Sequence, residues 1–407
     1  MKQPDSHSRS VEMTVGDYEV RGKISVTERL ISITVVAARS APPVEPPGQQ
    51  PPSEELPADA VILEPSGGDD TETLRSAAAG IPEGGTLVLR GMFRVRGTIK
   101  LEGGRGRTVC GYPGERSGII VESAEMPGMY GAMLWLKNAQ GSVLRDLEID
   151  GQNHSTTPIE VDGGSDNAIE RLYIHDVGFS GSDDGTLAAI HSEGGARLRV
   201  IGNIIERTGG DPNNDAGVRG IWLGKGQVDV HVEGNNVSDT GHTCIAVEPT
   251  AGVIRGNIAR NSLTQGTLYK IMLHPQAGSV GKVEFCENYG ENSKNGGLML
   301  EAADYPEIDI HHNTFKNCGA EGTTFGFLYT SQWTTKNARV HDNTVENCQS
   351  FGAMNRSESC FLENNAITGE STLWLENDCS NITVNNSGGV YVGANCSNIS
   401  VDGQQVA

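Results

Sequence analysis

The chain has 407 residues, 53 of them glycine, with 36% apolar and only 5% aromatic residues, and 31 Lys+Arg stand against 52 Asp+Glu for a net charge of −21. That charge repels phosphate backbones and argues against nucleic acid or an anionic membrane surface as the main partner, and no apolar run approaches the roughly 18 residues of a spanning helix. Eight cysteines are too sparse for a disulfide scaffold, and none stands in a CxxC pair.

The opening MKQPDSHSRS is polar and leads into no apolar stretch with a small-residue cleavage site, so no classical secretory signal is expected. Residues 12–38 alternate Val, Ile and Tyr with polar residues, which predicts two or three short strands, too few to bury a core alone. The reading is a small β module over 1–40 that docks on something else. Residues 41–58 follow as a proline-rich spacer, and 59–407 form the main domain.

From about residue 130 the chain repeats itself with a variable period. One recurring element is a short strand such as Ile159-Glu-Val161, Ile221-Trp-Leu223, Ile245-Ala-Val247, Ile271-Met-Leu273 or Leu298-Met-Leu300. The other is a strand that ends on asparagine, at Asn203, Asn235, Asn257, Asn288, Asn313, Asn343 and Asn364. Fixed strands with loops of changing length, and one residue type recurring at one turn, are what parallel strands stacked rung upon rung produce. The asparagines then form an internal ladder of side-chain amides, each bonded to the rungs above and below.

The segment GGDDTETLRSAAAGIPEGGTLVLRGMFRV (67–95) and the phrase LRDLEIDGQN (144–153) carry a resemblance. Over roughly residues 60–405 the chain resembles the right-handed parallel β-helix proteins of the pectate-lyase-like superfamily. The resemblance implies an all-β, single-stranded parallel β-helix of about ten rungs, its first rung closed by a short helix. That superfamily holds lyases, hydrolases, epimerases, esterases and virus tailspikes, so fold does not fix function.

Chemistry is sought on the outward face of the repeated strand, where side chains alternate with core residues. Aligning the last apolar residue of each strand places Asp162, His191, Gly224, Glu248, His274, Glu301 and Thr330 in one outward column, with Lys270 on the same face as His274. Glu248 and Glu301, two rungs and roughly 9–10 Å apart, suit an inverting glycosidase better than a retaining one. His274 then orients one of the two carboxyls. Lys270 and His274 offer the alternative of neutralising a uronate and abstracting its proton. Asp162, His191, Trp222 and Arg219 complete the set as substrate-binding candidates, while the bland reading of every such residue is a solvated face. Tyr269-Lys270, Gly241-His242 and Asp183-Asp184 match the polygalacturonase set only by coincidence. No cofactor is expected, although Asp211, Asn213, Asn214 and Asp215 are the types that hold calcium.

The second outward column, Glu160, Ala189, Trp222, Ala246, Met272, Met299, Leu328, Ala353, Trp374 and Tyr391, is apolar enough to mark an interface. Residues 389–401 form a rung with only six residues after it, read as an uncapped end. Stripe, docking module and missing signal together resemble phage tailspikes. They predict a homotrimer held by its N-terminal module to a virion or extracellular surface, binding and depolymerising a polysaccharide as a glycoside hydrolase. A non-catalytic adhesin and a uronate lyase or epimerase are the alternatives.

Overall fold

The computed structural model describes the backbone of residues 7–15, 18–27 and 30–39, and residues 55–122, 132–178, 187–211, 216–263, 266–272, 281–301, 304–319, 326–330, 334–369, 372–386 and 388–407. It comprises two units, Met1–Val44 and Glu45–Ala407. The first contains an antiparallel meander of three strands, His7–Val15, Tyr18–Thr27 and Leu30–Arg39. Among the described residues no helix is long and apolar enough to cross a membrane.

The second unit is a right-handed parallel β-helix. Its chain winds repeatedly through three long parallel sheets, named here in winding order. Sheet 1 has 12 strands, from Ile99–Glu102 to Val390–Val392. Sheet 2 has 16 and sheet 3 has 11, all counted among the described residues. Each strand is too short to bury a core alone, so every rung uses its neighbours as the other half of its hydrogen-bond ladder. Inside run continuous apolar files: Leu134, Ile159, Ile190, Ile221, Ile245, Tyr269, Leu298 and Leu328 are successive partners in sheet 1 and essentially unexposed. The first turn is closed by the helix Thr71–Gly80, which buries Leu74 and Ala78 in the same core. Aromatic residues take over the core further on, with the Tyr269 and Phe285 rings edge to face at 5.0 Å and Phe315 and Phe327 at 4.8 Å. The buried Tyr269 hydroxyl donates within reach of the Asn257 and Tyr289 carbonyls at 2.9 and 2.8 Å, so Tyr269 is a core residue and not a site residue. All eight cysteines are free thiols, seven of them buried.

The turn from sheet 2 to sheet 3 carries the asparagine ladder. Each side-chain amide donates to the next asparagine's Oδ1, at 2.8 Å from Asn203 to Asn235, 2.9 Å from Asn235 to Asn257 and 3.0 Å from Asn257 to Asn288. The series continues through Asn313 and Asn343. Its next member is Asn365, not Asn364, followed by Asn386. The reason is local: the residue before each ladder position from Asn203 to Asn365 is left-handed, as Gly234 is at φ 65° and Asp342 at 53°, and Asn364 (φ 55°) occupies that preceding position. Glycine takes this conformation freely, and Asn and Asp tolerate it best among the rest. Glu287 and His312 hold it at φ 57° and 55°, so the ladder outweighs their local preference.

Three other expectations are corrected. Ala189 and Leu328 point into the core and are unexposed, so neither belongs to an outer stripe. Strict alternation fails at the start of the strand Ala188–Glu193: Ala188 packs outside with Trp222 and Ala246, while both Ala189 and Ile190 face inward. The last rung is also not bare. Gln404–Gln405 folds back antiparallel on Ser397–Val401, and Val406 N–H donates to the Ile399 carbonyl at 2.8 Å.

Replacing the central ladder residue, Asn257→Leu, strands the Asn235 backbone N–H and its amide, which both donate to Asn257 Oδ1. Unfolding in urea should show a loss of about 1–3 kcal/mol, with an unchanged result ruling out a load-bearing role for the ladder.

Candidate active site

Sheet 1 presents two outward files, and their true register differs from the one read by aligning apolar residues. Val161 pairs with Ser192, not Ile190, so His191 lies beside Glu160 and Asp162 beside Glu193. Further along, Val247 pairs with Ile271 and Met272 with Glu301. One file therefore runs Glu160, His191, Trp222, Ala246, Lys270, Met299 and Tyr329. The other runs Asp162, Glu193, Gly224, Glu248, Met272 and Glu301, since each follows a paired core residue by one position. Ser192 stands in the core file where the other strands carry apolar residues, so the apolar-x-apolar pattern conceals the register of this strand. His274 lies outside the described residues, as do Asn213, Asn214 and Asp215 of the candidate calcium turn and the Asp183-Asp184 pair.

The register keeps Glu248 and Glu301 in one file, two strand spacings or roughly 9–10 Å apart along the sheet. Between them stands Met272, where the sequence reading put His274. Glu301 Oε2 lies 2.6 Å from Lys270 Nζ, an ion pair between adjacent strands with both side chains about a fifth exposed. Glu248 is 7% exposed. Burial first, then the charges of Glu301 and Glu193, push its carboxyl up to about 7, against the opposing pull of Lys270 and Arg219. Two carboxyls two strands apart thus sit in different surroundings: one desolvated beside other carboxylates, the other tied to a lysine. Environments that separate two carboxyls in this way are how a protein assigns an acid and a base.

The floor is braced from beneath. Tyr305, unexposed and lying just beyond Glu301 in the chain, reaches back so that its hydroxyl lies 2.6 Å from the Pro249 carbonyl and 2.9 Å from that of Met272. It thereby joins the ends of the two strands that carry Glu248 and Met272. No periodicity announces Tyr305, because it enters from outside the repeated strand. Glu193 was also missed, and would have been found by the correct register.

The remaining candidates are placed less openly. His191 is 0% exposed, and its Nδ1 lies 2.7 Å from Glu160 Oε2. Burial raises the Glu160 carboxyl above its ordinary range, opposed by the bond to His191. His191 and Glu160 therefore form a buried polar pair, held beneath the surface rather than offered to a ligand. Trp222 is 9% exposed, with the Arg219 guanidinium 4.3 Å above its ring, and packs with Ala188, Ala246 and Met272. It is a wall of the site more than an open stacking platform. Asp162 and Lys270 keep partial exposure.

Comparison with known proteins shows the fold. Residues 115–270 match a family described as "Right handed beta helix region". Among solved structures, the chain is similar to a variant of the catalytic domain of a GH87 α-1,3-glucanase in complex with tetrasaccharides. The TM-score is 0.61 at 14% identity, covering 95% of this chain and 74% of that one. The same kind of domain in complex with nigerose gives TM-score 0.53 at 13% identity, covering 94% and 72%. The A-module of a mannuronan C-5 epimerase from Azotobacter vinelandii gives 0.47 at 15%, covering 84% and 96%. No curated protein matches the chain significantly in sequence. These matches show the right-handed parallel β-helix fold.

The raised Glu248 carboxyl has a consequence for stability. The folded state holds its proton up to about pH 7, whereas the unfolded chain releases it near pH 4.3. Stability from this group is complete below the unfolded value and is lost as pH rises through the folded value near 7, by up to about 4 kcal/mol. Urea midpoints measured from pH 4 to 8 should decline over that interval and flatten in Glu248→Gln; parallel curves would place the Glu248 carboxyl in the ordinary range.

Proposed function

We propose that the chain is a glycoside hydrolase that cleaves a polysaccharide lying across sheet 1, with Glu248 as general acid and Glu301 as general base. The observation that carries this reading is the buried Glu248 carboxyl, protonated up to about pH 7, in line with a Lys270-bound Glu301 two strands away. In the reaction, Glu248 gives its proton to the glycosidic oxygen as the bond to the anomeric carbon breaks. Water attacks that carbon from the opposite face and yields its proton to Glu301. The separation, near the upper end of the range for inverting enzymes, leaves room for the water. Lys270 orients Glu301, and Asp162 and Glu193 extend the polar face toward the helical cap, with Arg219, Trp222 and the Glu160–His191 pair shaping the wall.

The charge of the face selects between substrates. Glu248 holds its proton, Glu160 is buried against His191, and Lys270 is already paired with Glu301 at 2.6 Å. To accept a polyuronate, Lys270 would have to leave its carboxylate to neutralise a uronate. A neutral glycan is therefore the favoured class over the lyase or epimerase substrate. The glucanase domains that share the fold are named as complexes with nigerose and with tetrasaccharides, and nigerose, an uncharged disaccharide, supports the same class. No metal is assigned to this chemistry.

We place the protein on a virion or extracellular surface as a homotrimer, its N-terminal meander docking to a larger assembly. The remaining stripe for such contacts is Met299, Tyr329, Trp374 and Tyr391, with Tyr391 51% exposed and its ring 4.8 Å from Trp374. Trp222 and Leu328 are too buried to contribute. Light scattering at micromolar concentration should give three times the chain mass; a monomer excludes the trimer without touching the chemistry.

The catalytic assignment is tested with a panel of neutral and acidic polysaccharides and product mass spectrometry. Glu248→Gln and Glu301→Gln should each lower turnover about 10²-fold or more, with inverted anomeric configuration in the first product. Binding without products would make the protein an adhesin, and an unsaturated product would make it a lyase.

A further inference from the structure

On sheet 2, away from the proposed active-site face, we propose a zinc-type metal site formed by Glu284, Cys286 and His311. Glu284 and Cys286 are two apart on the strand Val283–Cys286, so both leave the same side of the sheet while Val283 and Phe285 fill the core. Cys286 pairs across the ladder with His311. One oxygen, Glu284 Oε1, lies 3.5 Å from Cys286 Sγ and 3.4 Å from His311 Nε2. All three ligand atoms lie within 4.8 Å of one another. A tetrahedral ion about 2.0–2.3 Å from its nitrogen, oxygen and sulfur ligands needs them about 3.3–3.6 Å apart, so the oxygen's two distances already have the required size.

The charges and the tautomer also agree. A carboxylate, a thiolate and a neutral imidazole exactly balance a divalent ion, and the sulfur and nitrogen donors select a borderline-soft metal over calcium or magnesium. His311 Nδ1 lies 2.8 Å from His312 Nδ1. With His311 as the donor in that bond, Nε2 keeps its lone pair toward the carboxylate and the thiol. Outer partners of this kind fix a ligating imidazole in place. His341 stacks on the His311 ring at 5.2 Å and is itself held at 2.9 Å from Asp309 and 2.7 Å from Asp342. His312 bonds in the left-handed conformation at φ 55°. Glu284 and His311 are partly exposed, which leaves the fourth position to water and gives the ion a way in. On binding, the Cys286 thiol releases its proton to solvent as the metal–sulfur bond forms; without a metal, burial and the neighbouring Glu284 push that thiol up to about 12. A second cluster among the described residues, Asp150, His175 and Asp176, has no sulfur, and Arg207 already pairs with Asp176 at 2.8 Å while Gln152 bonds Asp150.

Chelator-treated full-length protein is titrated calorimetrically with zinc chloride in buffers of differing ionisation enthalpy. One ion should bind per chain with release of one proton, and cobalt(II) should give a thiolate-to-metal charge-transfer band. Cys286→Ser and His311→Ala should remove both signals. His312→Ala should weaken binding about 10–100-fold, and Cys396→Ser should change nothing. Absence of saturable binding, binding retained in Cys286→Ser and His311→Ala, or binding lost in His175→Gln instead would overturn the site. Should the ligand variants not fold by circular dichroism, the cobalt spectrum of the unaltered chain decides: no thiolate band, no site.

Discussion

Everything in this molecule depends on one constraint, the strand spacing of about 4.8 Å that places each rung directly on the last. Because all three sheets obey it, any residue type repeated at one phase of the coil becomes a physical column. The apolar phases become the core. At the turn between sheets 2 and 3 the column is asparagine, and there the stacking is enforced rather than merely permitted. Each ladder amide satisfies the backbone of the adjacent rungs as well as its neighbour's side chain, as Asn257 does with the Val232 carbonyl at 3.0 Å and the Asn235 N–H at 3.0 Å. A rung that slipped by one residue would strand these groups in the interior, where each costs about 1–3 kcal/mol.

The same constraint builds the electrostatics of the candidate site. Glu248 is desolvated by burial, at 7% exposure, and it feels Lys270, Glu301 and Glu193 because the coil lines them up. Their sequence distances are irrelevant. Lys270 and Glu301 are separated by a whole turn of chain yet lie 2.6 Å apart. A solenoid therefore makes a charged site by column composition, and loop length between the columns is free to vary.

How much of this could be read beforehand follows from which residues obey the repeat. The fold and most of the ladder were legible, since asparagine after a short strand recurs at every turn from Asn203 to Asn343. Glu248, Glu301 and Lys270 were legible too, as outward residues beside clear apolar positions. What failed was the register wherever the core file departs from apolar residues, as at Ser192, or where alternation breaks, as at Ala188–Ile190. Those two local exceptions moved His191 from Asp162 to Glu160 and put Ala189 inside. Tyr305 was illegible for another reason. It belongs to no column, and its role appears only when its hydroxyl is seen to reach Pro249 and Met272.

Stacked columns also explain why a chain this acidic remains ordered. On the outer faces, carboxylates recur in positions where an arginine or lysine of the adjoining rung meets them, as Arg171 meets Asp146 at 2.7 Å and Arg197 meets Asp166 at 2.6 Å. Such exposed pairs contribute little stability singly, but they set a rule for the surface: an acid on one rung is answered on the next. Against that rule the proposed active-site face is conspicuous. There Glu193, Glu248 and Glu301 share a file whose intervening positions are Gly224 and Met272, so no cation of the file stands between them. Relief comes only from the side, through Lys270 and Arg219, and it is incomplete, which is why the most buried member of the file retains its proton. A surface built for solubility alone has no need of a desolvated carboxyl that keeps its proton to about pH 7; the proton transfer proposed for Glu248 supplies one.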